Sequence, residues 1–252
     1  MTTITTDDFL VELHKAADVV DRLAAKLSEE DVPAPSELPG WSRGHVLAHI
    51  SGIANAMARQ LEFAARGETV ELYDGGFEGR NQAIDMAASR SLSEHRTALK
   101  AALERVLGAF DGLARPEDSG EAGWQAPISY RGGVVYDGGL ALWRELTIHA
   151  ADLGMGHGPE TWSRTFCGHL FDFLAARVPE NQRFVFQPPG LPPITLGSGG
   201  ETTVISGMLT DIAAWLAGRT PSLGSLRASA AADGVDLPEL LPWPAGVPAV
   251  RP

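Results

Sequence analysis

The chain has a single cysteine, Cys167, so no intrachain disulfide can form and nothing in its thiol content points to an oxidising compartment. It is short of basic residues. Twenty Lys and Arg stand against 32 Asp and Glu, for a formal net charge of −12. Without a basic stripe, nucleic acid and anionic membrane are not expected as partners. No uninterrupted apolar stretch approaches the ~20 residues needed to span a bilayer. The opening Met-Thr-Thr-Ile-Thr-Thr-Asp-Asp lacks the basic-then-apolar plan of a signal peptide. These absences lead to the expectation of a cytoplasmic protein. Missing too are a G-x-S-x-G elbow, a phosphate loop and a dinucleotide fingerprint, so the enzyme classes that depend on them gain no support.

What is present is helical. Thr6 or Asp7 can cap a first amphipathic helix that places Phe9, Leu10, Leu13, Ala17, Val20, Leu23 and Leu27 on one face. After a turn marked by Pro33, Pro35, Pro39 and Gly40, Ser42 caps a second helix to about Ala65, ended by Gly67. Residues 67–78 read as a loop centred on Tyr73-Asp74-Gly75-Gly76. Residues 79–113 read as helix, with a fresh capping signal at Ser91-Leu92-Ser93-Glu94. An irregular segment, 114–136, includes a candidate short hairpin over 128–135. A fourth long helix then begins at Asp137 and ends at Gly154. Gly156-His157-Gly158-Pro159 reads as a linker to a helix over about 160–177. Strand-like runs follow at 183–186, 194–196 and 202–205, then a helix from Gly207 to Ala217. The expected architecture is mainly α: a four-helix bundle over 1–155, a small α+β C-terminal domain over 160–235, and a Pro-rich extended tail over 236–252.

The most informative stretch is Arg144-Glu145-Leu146-Thr147-Ile148-His149-Ala150-Ala151-Asp152. Glu145 and His149 stand four apart on a helix, so a carboxylate and an imidazole leave one face a turn apart. That pair suits a divalent metal such as zinc. A third ligand is available upstream, where His49 sits among apolar neighbours in Trp41-Ser42-Arg43-Gly44-His45-Val46-Leu47-Ala48-His49. If the two helices pack together, His49, Glu145 and His149 form a three-ligand centre with one coordination position open, the plan of catalytic rather than structural metals. His45, four residues before His49, is a competing ligand, although its first-turn position suits a helix end or solvent. The bland alternative is that Glu145 and His149 form a surface ion pair contributing a few tenths of a kcal/mol. Trp41 reads as a core anchor and Cys167 as a small buried residue.

Trp41 through His49, Arg80-Asn81, Glu145 through Gly154 and Ala217-Gly218-Arg219 resemble the mycothiol-dependent maleylpyruvate isomerases. These belong to the wider group of DinB-like metal-binding bundles that includes thiol S-transferases, and the resemblance covers nearly the whole chain. It implies a DinB-like four-helix bundle with zinc, or another divalent ion, on His49, Glu145 and His149. It implies mycothiol, the low-molecular-weight thiol of actinobacteria, as cofactor, with Asp152, Asn81 and Arg219 contributing to its binding. Arg80 and Arg219 would face an anionic substrate or the cofactor and serve catalysis. The partners implied are a small thiol and a small-molecule electrophile, with the chain a monomer or homodimer. In that reading a metal-bound thiolate attacks the electrophile, in isomerisation or in thiol S-transfer. The rivals are a biosynthetic mycothiol transferase or thiol-exchange enzyme acting on a larger metabolite conjugate, and a non-catalytic metal- or thiol-binding regulator.

Overall fold

A computed structural model describes residues 4–113, 120–228 and 236–244. Parts of the expected irregular segment 114–136, of the C-terminal domain and of the Pro-rich tail therefore lie outside the described residues. The chain divides into two compact units, Ile4–Gly156 and a second running from His157. Among the described residues, no helix is long and apolar enough to cross a membrane.

The first unit is a helical bundle. It contains α1 (Thr6–Lys26), α2 (Arg43–Ala64), α3 (Gly76–Ala88), α4 (Leu92–Leu113), the short α5 (Gly120–Trp124) and α6 (Val135–Asp152). Helix α2 packs against α4, α3 and α6, while α1 packs against α6 and α4. The face of α1 expected to be apolar is the one it buries, with Phe9, Leu13, Ala17, Val20 and Leu23 all inside. Phe9 sits at the centre of an aromatic cluster, its ring 6.1 Å from Phe110, 5.9 Å from Trp124 and 6.3 Å from Trp143. Gly139 on α6 allows this closeness, since a Cβ there would fall 2.7 Å from Phe9 Cζ. Gly44 on α2 has the same role against α3, where a Cβ would collide with the Ala88 carbonyl.

Several boundaries differ from expectation for local chemical reasons. The cap of α1 is Thr5, whose hydroxyl accepts from Asp8 N. Helix α3 begins at Gly76, inside the expected loop, because Gly75 takes a left-handed conformation (φ 72) that turns the chain into the helix. Helix α6 begins at Val135. Asp137 stands inside its first turn, and its carboxylate accepts from Val134 N at 3.0 Å. The expected hairpin over 128–135 shrinks to one bridge, Pro127 with Val134, around a single 3-10 turn over Tyr130–Gly132. Pro127 has no N–H with which to extend a ladder. The signal at Ser91 is a capping box, with Glu94 accepting from both the Ser91 amide and its hydroxyl.

In the second unit, α7 (Arg164–Leu174) is capped by Ser163 and flanked by 3-10 turns at Pro159–Thr161 and Ala175–Arg177. The single helix expected over 160–177 is thus three pieces. Strands β1 (Gln182–Gln187), β2 (Ile194–Leu196), β3 (Glu201–Ser206) and β4 (Arg227–Ala228) form one sheet in the order β2-β1-β3-β4. Strand β1 is antiparallel to β2 and parallel to β3, with Phe184 opposite Thr203 and Phe186 opposite Ile205. The core of this unit gathers Phe184, Phe186 and Trp215, the last from α8 (Leu209–Leu216). Residues 236–244 carry no regular structure. They are held by Arg177, whose guanidinium donates to the Leu241 carbonyl at 2.7 Å.

Candidate metal centre

Two helix starts decide where the centre forms. Ser42 caps α2, and the residue at its third helical position is His45 rather than the usual acid. The Ser42 amide donates to His45 Nδ1 at 3.2 Å, with the Ser42 hydroxyl 2.8 Å from the same nitrogen. His45 is thereby committed to the helix end, leaving His49, one turn further on, as the histidine that faces inward. The ring of half-buried Trp41 lies 6.0 Å from His45 and 5.7 Å from His49, and it packs against the buried Ala48, Ile84 and Ala87.

From the facing helix α6, Glu145 and His149 meet His49. Glu145 Oε2 lies 2.8 Å from His49 Nε2 and 3.1 Å from His149 Nε2, and the two imidazole rings stand nearly perpendicular with centroids 4.5 Å apart. One ligand atom from each residue falls within 4.8 Å of the others, the spread a single divalent ion can draw together. His149 Nδ1 is engaged from behind by Asp152 Oδ2 at 2.8 Å, and Asp152 is itself buried. A carboxylate behind a ligating imidazole fixes its ring and tautomer, so the donor set fits a metal.

The electrostatics agree. Burial pushes the His49 imidazole down to about 4, with His149 adding to the effect, so His49 is neutral at physiological pH. Burial also disfavours a charge on His149, but hydrogen bonds to Asp152 and Glu145 overcome it and raise its pKa. Glu145 would be raised by burial, yet hydrogen bonds from His149 and His49 hold it well below the ordinary carboxylate range. His149 thus faces a carboxylate at each ring nitrogen, surroundings that favour positive charge, which a bound cation would supply.

Arg80, on α3, reaches the centre. Its Nη2 lies 3.1 Å from His49 Nδ1 and its Nη1 donates to Asn81 Oδ1 at 2.8 Å. Asn81 is exposed and touches the centre only through Arg80 in these contacts. Arg219 belongs to the second unit, just beyond α8, where Nη1 donates to the Ala217 carbonyl at 3.1 Å.

Three residues not singled out from the sequence also stand here. Tyr73 stands beside Arg80, whose guanidinium carbon lies 5.9 Å from its ring centroid, and burial raises its hydroxyl to about 12, a donor at any physiological pH. Tyr130 hydrogen-bonds the buried Arg144, the residue before Glu145, whose charge burial disfavours while Tyr130 and Glu145 sustain it. Gln60, buried on α2, joins the two loops that carry these tyrosines. Its amide donates to the Val70 carbonyl at 2.6 Å and accepts from the amides of Ser129 at 2.9 Å and Tyr130 at 3.2 Å. No local pattern marks these residues, because each owes its place to packing between distant segments.

A cavity of about 200 Å³ lies among α2, α3 and α4, with Tyr73, Arg80, Asn55 and Arg90 among its walls and His49 the one candidate ligand that lines it. Cys167 takes no part. It is fully buried in α7, and burial pushes its thiol up to about 12.

Comparison with known proteins gives a consistent picture. Residues 13–154 match the mycothiol maleylpyruvate isomerase N-terminal domain, and residues 161–242 match the MDMPI C-terminal domain. Two crystal structures share the fold: the mycothiol-dependent maleylpyruvate isomerase and a histidine-to-alanine mutant of it. Each has a TM-score of 0.81 at 22% identity, over 96% of this chain and 100% of the other. No curated protein matches the chain.

Proposed function

The chain belongs to the mycothiol maleylpyruvate isomerase family, and on that premise we propose that it is a zinc-dependent enzyme that uses mycothiol against a small, anionic, electrophilic substrate. The observation that carries this reading is the convergence of His49 Nε2, Glu145 Oε2 and His149 Nε2 within one coordination sphere. A divalent ion held there would supply nucleophile generation, keeping a small thiol as its thiolate at neutral pH for attack on an electrophilic double bond.

The chain's own residues do the rest. Asp152 holds His149 with Nδ1–H turned outward and the Nε2 lone pair turned inward. The cluster of Phe9, Phe110 and Trp143 fixes α6 against α1 and so sets the direction from which Glu145 and His149 project. Arg80 supplies the planar cation that pairs with a substrate carboxylate. Tyr73, protonated and beside Arg80, adds a neutral donor for negative charge that builds on a carbonyl oxygen as its conjugated double bond is attacked. Asn81, bonded to Arg80, contributes to cofactor or substrate binding, Arg219 contributes a further cation from the second unit's own surface, and the chain acts in the cytoplasm. Isomerase action is the reading that the family match favours over transfer to a bulky conjugate.

Elemental analysis of the purified protein, with a maleylpyruvate isomerisation assay run with and without mycothiol and after chelation, tests the proposal. About one zinc per chain, with turnover that needs both zinc and mycothiol, is expected. Full turnover after chelation would overturn the metal role. Zinc binding without turnover of maleylpyruvate would overturn the isomerase assignment.

A further inference from the structure

Gly52 stands in the middle of α2, where a glycine costs helix stability relative to almost any other residue. Other helical glycines of the bundle have a packing reason, since a Cβ at Gly44, Gly138 or Gly139 would collide with a neighbouring segment. At Gly52 a Cβ would meet no described atom within 4 Å. Its backbone is not left-handed either, so other residues could adopt it. The room beside Gly52 is therefore left unused by the described chain. It belongs to the 200 Å³ cavity among α2, α3 and α4, whose walls include the equally short Ala83, Ala87 and Ala98.

The charge of that cavity runs against the charge of the chain. Acids outnumber bases 32 to 20 overall, yet two arginines and no Asp or Glu line it. Arg80 and Arg90 are rooted on the order of 15 Å apart along α3 and the turn after it. A cavity that both line is elongated, with a guanidinium toward each end. Of the five N–H groups that Arg80 offers, one is directed at His49 Nδ1 (3.1 Å) and one at Asn81 Oδ1 (2.8 Å). Tyr73, whose hydroxyl stays protonated, lines the cavity beside it. Among the described residues, none hydrogen-bonds or ion-pairs with the Arg90 side chain. Glu94 feels the Arg90 charge, but the Ser91 amide and hydroxyl hold that carboxylate at the start of α4, at 2.9 and 2.6 Å.

We propose that this cavity is a second binding site, separate from the three-ligand centre, for a small elongated dicarboxylate. One carboxylate pairs with the planar fork of Arg80 and the other with that of Arg90, while the carbons between them lie over Gly52 and the alanines. Of the three candidate ligands only His49 lines the cavity, so binding there calls for neither an ion nor an electrophilic carbon. The consequence for turnover rests on the function proposed above. Arg80 is the cation assigned there to the substrate carboxylate, so a dicarboxylate in the cavity is an inhibitor that substrate displaces.

Calorimetric titration of the full chain tests the site, with glutarate (a five-carbon dicarboxylate) and butyrate (one carboxylate) as probes. The native chain is expected to bind glutarate at least tenfold more tightly than butyrate. Arg90→Met is expected to bring the two within threefold. Gly52→Leu fills the cavity without touching a charge, and is expected to lose glutarate binding while melting at or above the native temperature. Equal affinity for both acids in the native chain would overturn the proposal. So would glutarate binding that either variant leaves unchanged.

Glutarate is also expected to raise the KM for maleylpyruvate with kcat unaltered, and to do so less than a third as strongly in Arg90→Met. Binding through Arg90 with KM unmoved would overturn the shared use of Arg80. A chain that turns over no maleylpyruvate would remove the function proposed above, and the titrations would still decide the cavity.

Discussion

Asp152 Oδ2 lies 2.8 Å from His149 Nδ1, three residues earlier on the same helix. An acid in the last turn of a helix is opposed by the macrodipole, which favours cations there. Its cost is offset by the imidazole it holds, and in the proposed metal centre Asp152 would act as a positioning residue for His149. Asp152→Asn keeps the shape but removes the charge. The expected outcome is a 10- to 100-fold loss of zinc affinity in chelator competition, with the helical signal of the metal-free protein unchanged. Unaltered affinity would exclude the positioning role.

Gln60 holds the loops of Tyr73 and Tyr130 through one amide. Gln60→Leu keeps the apolar packing of α2 but removes the acceptor of the Ser129 and Tyr130 amides and leaves the Val70 carbonyl to the Ser129 hydroxyl alone. A loss of about 1 kcal/mol in urea unfolding is expected, the net worth of a typical intramolecular hydrogen bond. Turnover should fall further than stability alone explains, because both tyrosines lose their anchor.

Gly139 meets Phe9 where α6 crosses α1, with room for hydrogen only. Gly139→Ala should raise helix propensity yet destabilise by about 1–3 kcal/mol through overpacking. A thermal melt at or above that of the native chain would show that Phe9 can yield.

Cys167 is buried with its thiol pushed up to about 12. Ellman's reagent should leave it untouched in the folded protein and label it fully in urea. Cys167→Ala should retain turnover that depends on added thiol. Loss of that turnover without loss of fold would mean the chain supplies its own nucleophile.

His95 is buried on α4, where burial lowers its pKa below the ordinary histidine value and the Ala88 carbonyl, 3.4 Å from Nε2, partly restores it. The unfolded chain binds a proton near pH 6.5, while the folded chain resists until lower pH. Stability from this residue is therefore present above pH 6.5 and declines as pH falls below it. Urea midpoints at pH 7.5 and pH 5 should show a smaller acid loss in His95→Gln than in the native chain.

Much of this molecule is legible along the chain because the relevant physics is local. The cap at Ser42, the capping signal at Ser91 and the apolar face of α1 follow from short-range hydrogen bonding and the 3.6-residue period. The assignment of His45 to a helix end has the same origin. What was misplaced was also local, but governed by single backbone states. Gly75 starts α3 early, and Pro127 cuts the expected hairpin to a bridge.

That Glu145, His149 and Asp152 share one face of one helix follows from chain order alone, since residues three and four apart on a helix are neighbours whatever the rest of the chain does. Chain order likewise puts His49 two turns after a cap and carries the family resemblance. The meeting of His49 with Glu145 at 2.8 Å, across 96 residues of sequence, comes instead from the packing of α2 on α6. The same holds for Arg80 against the outer nitrogen of His49, and for the tyrosines brought in by Gln60. Those contacts depend on how closely α2 lies against α3 and α6. That closeness is set by side-chain volumes at positions such as Gly44 and Gly139, summed over the whole core, and no short window of sequence contains it.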